Sequence, residues 1–368
     1  MTEERRREPD FLIILVTVIL ICIGLIMVFS SSYVMAEEQL GDRYFYLRRQ
    51  AMWACLGLAA LYIFSRFDYR NLRRLSPLLV LVNFILLTMV FFPGLGVMVQ
   101  DAQRWIAVGG ITVQPSEFTK LALVIFTAAF FSSRSIKMEN FWSSSFIPVL
   151  IAGLSFLFIV QQPDMGSALV IVTGVGILIF IAGIPMKHLF ALGALAVPAF
   201  VYLAFSESYR FRRMISFLDP WADPMETGYH VIQSLYALGP GGLFGVGLGQ
   251  SRQKFYYLPE PHNDFIFSVI GEELGFIGAV TVLLLFFVLL WRGLKIALTV
   301  EDVFGSLLAA GITVLLGVQA LVNIGVVTGS LPVTGLNLPL ISFGGSSLFF
   351  TLCGIGILLN LSRHAREQ

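Results

Sequence analysis

Charge is what this sequence has least of. Asp, Glu, Lys and Arg make up 13% of its 368 residues, about half the share usual in a soluble domain. Hydrophobic residues reach 57% and the mean hydropathy is +0.83, so the chain reads as an integral membrane protein. A net charge of +1 gives no basic footprint for a nucleic acid. Cysteine is scarce as well: Cys22, Cys55 and Cys353 each lie inside an apolar run, which fits packing residues and excludes a disulfide framework or metal cluster. Histidine offers no ligand spacing around His188, His230 or His364. His262 with Asp264 is only half a metal site, so no zinc centre is expected. Period-two alternation is missing from the apolar runs, which argues for helices rather than a barrel. No internal repeat and no low-complexity linker divides the chain, so residues 1–368 read as one domain.

What is present is a series of apolar stretches. A spanning helix needs about 20 mostly apolar residues. Ten candidates follow: 11–34, 49–65, 77–93, 116–132, 146–161, 167–184, 188–205, 265–291, 303–327 and 344–361. The first is too long for the apolar core of a cleaved signal, which runs 7–15 residues, and reads as a retained span. Lys and Arg then orient the bundle. Arg5, Arg6 and Arg7, the 65–76 loop, Arg134, Lys137, Lys187, Arg292, Lys295, Arg363 and Arg366 place 14 of the 24 basic residues on one side. That side holds both termini and reads as cytoplasmic. The opposite face receives segments 35–48, 94–115 and 162–166, a long loop over 206–263, and the uncharged Gly- and Pro-containing loop 328–343.

The remaining charges converge on that outer face. "DAQRWIAVGGITVQPSEFTK" carries Arg104, then Glu117 and Lys120 at the mouth of the fourth span. "QQPDMGS" places Asp164 before the sixth. "YRFRRMISFLDPW" supplies Arg210 and Arg213, and "PEPHND" ends the long loop at Asp264. Charges within a bilayer are costly, about 2.5–3.5 kcal/mol each on insertion scales, and persist when paired or functional. Structural roles exist for most of them. Glu117 and Lys120 are spaced as an i,i+3 ion pair, Asp164 as a helix N-cap, and Arg210 and Arg213 as headgroup contacts. Glu272 and Glu273 are expected to face the bundle interior, bonded to other helices. Asp264 lies at the end of a long span, where water reaches it and lipid crowds it. That setting suits a carboxylate to general-base work, although an N-cap role for the eighth span is equally open. The six glycines of "GPGGLFGVGLGQS" (239–251) lack the Lys-Ser/Thr of a P-loop and read as close backbone packing against a helix or a lipid. "GYHVIQSLYAL" is a candidate amphipathic helix in the long loop.

An outer-facing acid beside fixed cations suits a substrate with a lipid tail and an anionic head. Cations can offset a pyrophosphate leaving group while the acid takes a proton from an attacking hydroxyl. The residues alone leave open glycosyl or phosphoryl transfer on a polyprenyl carrier, transport of a lipid, and a scaffold. Transport is disfavoured by the nearly uncharged inner halves of the spans and the missing repeat.

"YYLPEPHNDFIFSVIGEELGFIG", "RFRRMISFLDPW", "GPGGLFGVGLGQS", "QPDMGSAL" and "LPVTGLNLPLISFGGSSL" together resemble the signature blocks of the SEDS family (shape, elongation, division and sporulation), more its FtsW and SpoVE branch than RodA. The resemblance covers essentially the whole chain. It implies an all-α polytopic protein of ten transmembrane helices in the cell membrane, with both termini cytoplasmic. It implies a peptidoglycan glycosyltransferase that polymerises lipid II on the outer face. Asp264 is then the catalytic residue, acting as general base, and Arg104, Glu117, Lys120, Asp164, Arg210 and Arg213 are the substrate-binding positions. A class B penicillin-binding protein and other divisome or spore-envelope proteins are the implied partners, and a divalent cation, Mg or Mn, is the one cofactor to consider. Two positions depart from the pattern: Asn263 stands where "HTD" is common, and Phe343 replaces the tyrosine of "SYGG". The competing readings are a lipid II flippase and a division scaffold.

Overall fold

A computed structural model of the chain describes residues 8–99, 102–133, 145–206, 211–212, 216–254 and 258–365. Eleven α-helices and one three-stranded sheet order the described residues, with a short 3-10 turn at Pro220–Ala222. The helices are α1 (Phe11–Leu40), α2 (Phe45–Arg66), α3 (Arg70–Met89), α4 (Pro115–Phe131), α5 (Phe146–Gln161), α6 (Met165–Ile181), α7 (Met186–Ser206), α8 (Tyr229–Leu238), α9 (Ile266–Thr299), α10 (Val303–Val327) and α11 (Gly345–Ser362). Among the described residues, α1, α3, α9, α10 and α11 are long and apolar enough to cross a membrane by length and composition. The bundle is built around α10, which packs against α4, α6, α9 and α11, while α11 lies along α2. The apolar windows of α10 and α11 are 72% buried, whereas those of α3 and α9 are 22% buried. The first pair is therefore core, and the second turns most of its surface outward.

Two helix boundaries differ from expectation for physical reasons. The third apolar segment was expected to begin at Pro77, yet α3 starts at Arg70 and carries that proline inside. Proline has no N–H for the carbonyl four residues back, and Ser76 Oγ donates to that Arg73 carbonyl instead, at 2.9 Å. The long α9 runs on to Thr299 but is broken at Gly275, whose φ of 68° and ψ of −165° leave the helix. The Gly-rich stretch satisfies the groups that this break orphans. Val246 and Gly247 N–H donate to the Glu272 and Glu273 carbonyls at 2.9 and 3.1 Å, and Phe276 and Ile277 N–H donate to the Gly242 and Leu243 carbonyls at 2.9 and 3.2 Å. Backbones approach so closely here that a Cβ on Gly245 would lie 2.1 Å from the Glu273 carbonyl oxygen. The expected packing of this stretch against a helix is what the structure contains.

Segment 94–115, expected as a plain connection, folds into antiparallel strands β1 (Gly96–Val99), β2 (Ala102–Val108) and β3 (Ile111–Val113) in the order β1-β2-β3. Gly109 and Gly110 join β2 to β3 with φ values of 59° and 82°, the two positive angles that a type I′ hairpin turn requires. Val108 pairs with Ile111 and Ile106 with Val113. The sheet docks through Gln103, whose Nε2 donates to the Val90 carbonyl at 2.8 Å. It also docks through Gln114, whose N–H donates to Ser346 Oγ at 3.0 Å. The helix expected in the long loop forms as α8, and its Ser234 Oγ lies 2.7 Å from Ser268 Oγ of α9 and donates to the Val327 carbonyl of α10 at 2.6 Å.

At the other end of the bundle, polar bonds knit the chain termini to the helix turns. Asp10 caps α1 and pairs with Arg292. Tyr69 donates to Asp302, which caps α10, and its backbone N–H is held by Asn360 of α11.

Candidate active site

The sheet, the Asp164 turn, the start of α9 and the 334–344 segment meet at one end of the bundle. Asp164 is the N-cap of α6, as its spacing suggested. Oδ1 accepts from Ser167 N–H at 3.1 Å, and Oδ2 accepts from Gln114 Nε2 at 2.9 Å and Ser116 Oγ at 3.3 Å. Arg104 reaches from β2 to the turn just before it, donating from Nε to the Gln162 carbonyl at 3.1 Å and from Nη2 to the Pro163 carbonyl. The guanidinium thus braces the 162–164 turn with part of its five-donor fork.

Glu117 and Lys120, one turn apart on α4, form the expected ion pair at 2.8 Å with both side chains buried. Lys120 Nζ also donates to Gln319 Oε1 of α10 at 2.7 Å. The three polar groups face a cavity of about 40 Å³ between α4, α10 and α11, otherwise lined by apolar side chains such as Leu121, Leu316 and Phe350. That volume holds roughly two or three waters.

Asp264 is half-buried and stands one residue before Phe265, the N-cap of α9; the N-cap position is not its own. Its surroundings are fixed through three consecutive carbonyls. The His262 carbonyl accepts from Phe343 N–H at 2.8 Å, the Asn263 carbonyl from Ser342 Oγ at 2.6 Å, and the Asp264 carbonyl from Asn323 Nδ2 at 2.8 Å. The carboxylate abuts Gly335, where an added Cβ would come 3.5 Å from Oδ2. On the far side of the same segment, Thr334 O would sit 2.6 Å from a Cβ on Gly166, two residues after Asp164. Segment Thr334–Leu336 therefore runs between the Asp164 turn and Asp264, and brings the two acids to one locus from distant parts of the chain.

His262 is sandwiched between Tyr46 and Phe343, with ring centroids 4.4 and 5.6 Å away. Burial pushes its imidazole down to about 4, so it is neutral at pH 7. The 3.8 Å approach of Glu260 to its Nε2 is accordingly not an ion pair. Phe343, lacking the tyrosine hydroxyl, acts here as an aromatic wall. Asn263 donates to Glu260 Oε2 at 2.8 Å.

Glu272 and Glu273 depart from expectation in their partners. Glu272 accepts from Ser251 Oγ at 2.5 Å and Arg252 N–H at 2.8 Å, and Glu273 pairs with Lys254 at 2.9 Å. Among the described residues, Ser30 of α1, donating to Glu273 at 2.6 Å, is the helix partner of the kind foreseen. Their main partners arrive from the long loop, which pairs with the α9 backbone at the break. Arg210 and Arg213 lie outside the described residues. Among the described residues, no group of three His, Cys, Asp or Glu side chains converges as metal ligands.

Sequence reasoning passed over the uncharged half of the site. Gln50, Gln319, Asn323 and Asn337 are carboxamides that hold segment 334–344. Gln50 donates to Ser342 O at 3.0 Å and accepts from Gly344 N–H at 3.3 Å, and Asn337 donates to Phe343 O at 2.6 Å. Their signal was available, since an amide in an apolar span also needs partners.

The family model for FtsW, RodA and SpoVE, described as "Cell cycle protein", matches residues 10–367. The chain belongs to the FtsW/RodA/SpoVE family. It is 47% identical over 363 residues to stage V sporulation protein E of Bacillus subtilis, covering 98% of this chain and 99% of that protein. It is 43% identical over 357 residues to a probable peptidoglycan glycosyltransferase FtsW of Geobacter sp. (strain M18), covering 97% of each. Among solved structures it is similar to RodA of Thermus thermophilus, with a TM-score of 0.72, 30% identity and 98% of both chains covered. It is also similar to a chain of a structure described as "Structural coordination of polymerization and crosslinking by a peptidoglycan synthase complex", with a TM-score of 0.79 and 32% identity over 96% of this chain and 98% of that one. For this FtsW/RodA/SpoVE protein the likeness to both solved structures covers nearly the whole chain.

Proposed function

We propose that this FtsW/RodA/SpoVE protein is a peptidoglycan glycosyltransferase that polymerises lipid II into glycan strands, with Asp264 as general base. In this reading ten helices span the cytoplasmic membrane. Both termini lie inside with 14 of the 24 basic residues, and the sheet, the long loop and Asp264 face the wall-building compartment. The observation that carries it is Asp264 itself: a half-exposed carboxylate whose backbone is clamped at three successive carbonyls.

The Asp264 carboxylate takes the proton from the acceptor sugar 4-hydroxyl. That oxygen attacks the anomeric carbon of the donor, the bond from this carbon to the phosphate oxygen breaks with inversion, and undecaprenyl pyrophosphate leaves with the electron pair. Arg104, Arg213 and Lys120 offset its charge, Arg210 adds to the cationic surface, and Asp164 and Glu117 position Arg104's turn and Lys120. A class B penicillin-binding protein is the partner that cross-links the product, alongside division or spore-envelope proteins.

Asp264→Asn is near-isosteric and removes the base. Purified protein with its partner should lose about 10²–10⁴-fold in strand synthesis from lipid II while keeping its melting temperature. Strand synthesis at the parent rate would remove Asp264 from this role, and lipid II translocation without polymer would favour transport.

A further inference from the structure

Two amides on α10 link Lys120 of α4 to Asp264 at the start of α9 through segment 336–337. Gln319 and Asn323 are four residues apart and so share one helix face, and both are buried. Gln319 accepts from Lys120 Nζ at 2.7 Å through Oε1 and donates to the Asn337 carbonyl at 3.0 Å through Nε2. Asn323 Nδ2 donates twice, to the Asp264 carbonyl at 2.8 Å and to the Leu336 carbonyl at 2.6 Å. Each amide therefore touches one charged residue of the site and one of two consecutive carbonyls in the segment that abuts the Asp264 carboxylate at Gly335.

The orientation of Asn323 is fixed by chemistry. Turned the other way, its oxygen would meet two carbonyl oxygens. In the observed orientation Oδ1 is buried without a hydrogen-bond partner among the described residues, and a buried acceptor left unmade is destabilising. An apolar side chain on α10 would avoid that penalty but could not grip the Asp264 carbonyl.

We infer that Gln319 and Asn323 are positioning residues that set Lys120 and Asp264 at a fixed separation by bracing both on segment Leu336–Asn337. Along α10 the two amides are about 6 Å apart, four residues at 1.5 Å rise. The base and the cation are thereby held by one rigid element rather than by two independent ones. The inference rests on the proposed role of Asp264 as base.

The test is steady-state lipid II polymerisation by the full chain with its penicillin-binding partner, over a range of lipid II concentrations. Asn323→Asp keeps the shape but removes both donors, and Gln319→Glu keeps an acceptor for Lys120 but removes the donor to Asn337. Each is expected to lower kcat about 10²-fold through misplacement of the reacting groups, with KM within about twofold of the parent and partner co-purification retained; Asn323→Asp also melts lower, because it sets a buried carboxylate against two carbonyl oxygens. Because both act through one segment, the double variant should fall little below the slower single variant. Asn323→Ser, which keeps one donor, covers the case in which the aspartate variant does not fold and should give an intermediate kcat. The inference is overturned if kcat stays within about threefold of the parent in the folded variants, if the loss appears in KM, or if the two losses multiply. Asp264→Asn run alongside separates the two ideas. An active Asp264→Asn enzyme sinks the base assignment, whereas an inactive one beside an active Asn323→Asp sinks only the positioning role.

Discussion

Removing the Lys254 ammonium isolates what fastening the long loop to α9 contributes. Its Nζ lies 2.9 Å from Glu273 Oε1, with the two side chains 1% and 0% exposed. At that distance and an effective dielectric of about 20, the gross attraction is about 6 kcal/mol, much of it offset by desolvation of the two charges. Lys254→Met keeps the bulk of the stem against Tyr33 but leaves Glu273 a buried anion, with Ser30 Oγ and Ser251 N–H as its remaining donors. Breaking such a pair from one side costs about 3–5 kcal/mol. The expected loss is near the lower figure because those two donors stay. Adding Glu273→Gln removes the stranded charge while keeping an acceptor for Ser30, so the double variant should recover about 2 kcal/mol. Unfolding in detergent reads the stability. Hydrogen exchange reads the place, since the Val246 and Gly247 amides bonded to α9 carbonyls should lose protection before those of α10. A Lys254→Met protein within about 1 kcal/mol of the parent, the range of an exposed pair, would refute the reasoning. So would a double variant no better than the single one.

His262 links stability to pH. Its imidazole is held at about 4 by burial against about 6.5 unfolded, so its contribution is complete above pH 6.5 and is lost as pH falls through 6 and 5 towards 4. About 2.5 pH units correspond to at most about 3 kcal/mol; His262→Phe should flatten the stability profile across that window, and an unchanged acid slope would contradict the assignment. Gly245→Ala meets both a φ of +81° and a backbone oxygen 2.1 Å from the new Cβ. It should cost about 1–3 kcal/mol or more and release the 241–247 pairing, whereas a stability equal to that of the parent would show that the α9 break tolerates rearrangement.

Much of the local structure was legible because it depends on short spacings. The Glu117–Lys120 pair, the Asp164 cap and α8 each follow from residues within one or two turns of each other, and each appears in the structure. The sheet over 96–113 was missed although Gly109–Gly110 between β-forming residues is a hairpin signal; a search for long apolar runs passes over strands this short. The break in α9 was not legible at all. A single glycine inside an apolar stretch is ordinary, and Gly275 leaves the helix only because residues 242–247, some thirty positions earlier, are there to take its orphaned hydrogen bonds. The same loop brings Lys254 to Glu273 from nineteen positions away, a partner that the expectation of bonds to other helices did not include. The carboxamides escaped for a different reason: attention to formal charge overlooks groups that bear none yet need partners just as much.

The acids of this chain divide by what holds them. Glu117 pairs with Lys120 of its own helix, while Asp164, Glu272 and Glu273 accept from donors on other segments, so their charge is committed to fastening helices, turns and loop. Asp264 is gripped through its own carbonyl and those of its two predecessors, so its main chain is held in place independently of its side chain, which abuts Gly335. A residue secured through its main chain can lose its charge without loosening the structure. One secured through its side chain cannot. Amide for carboxylate should therefore separate the two classes: Glu273→Gln alone strands the Lys254 cation and lowers stability, whereas Asp264→Asn lowers the rate of polymerisation and leaves unfolding where it was. If both substitutions acted on stability to the same extent, the main-chain clamp would not be what fixes Asp264, and the division between fastening and reacting acids would fail with it.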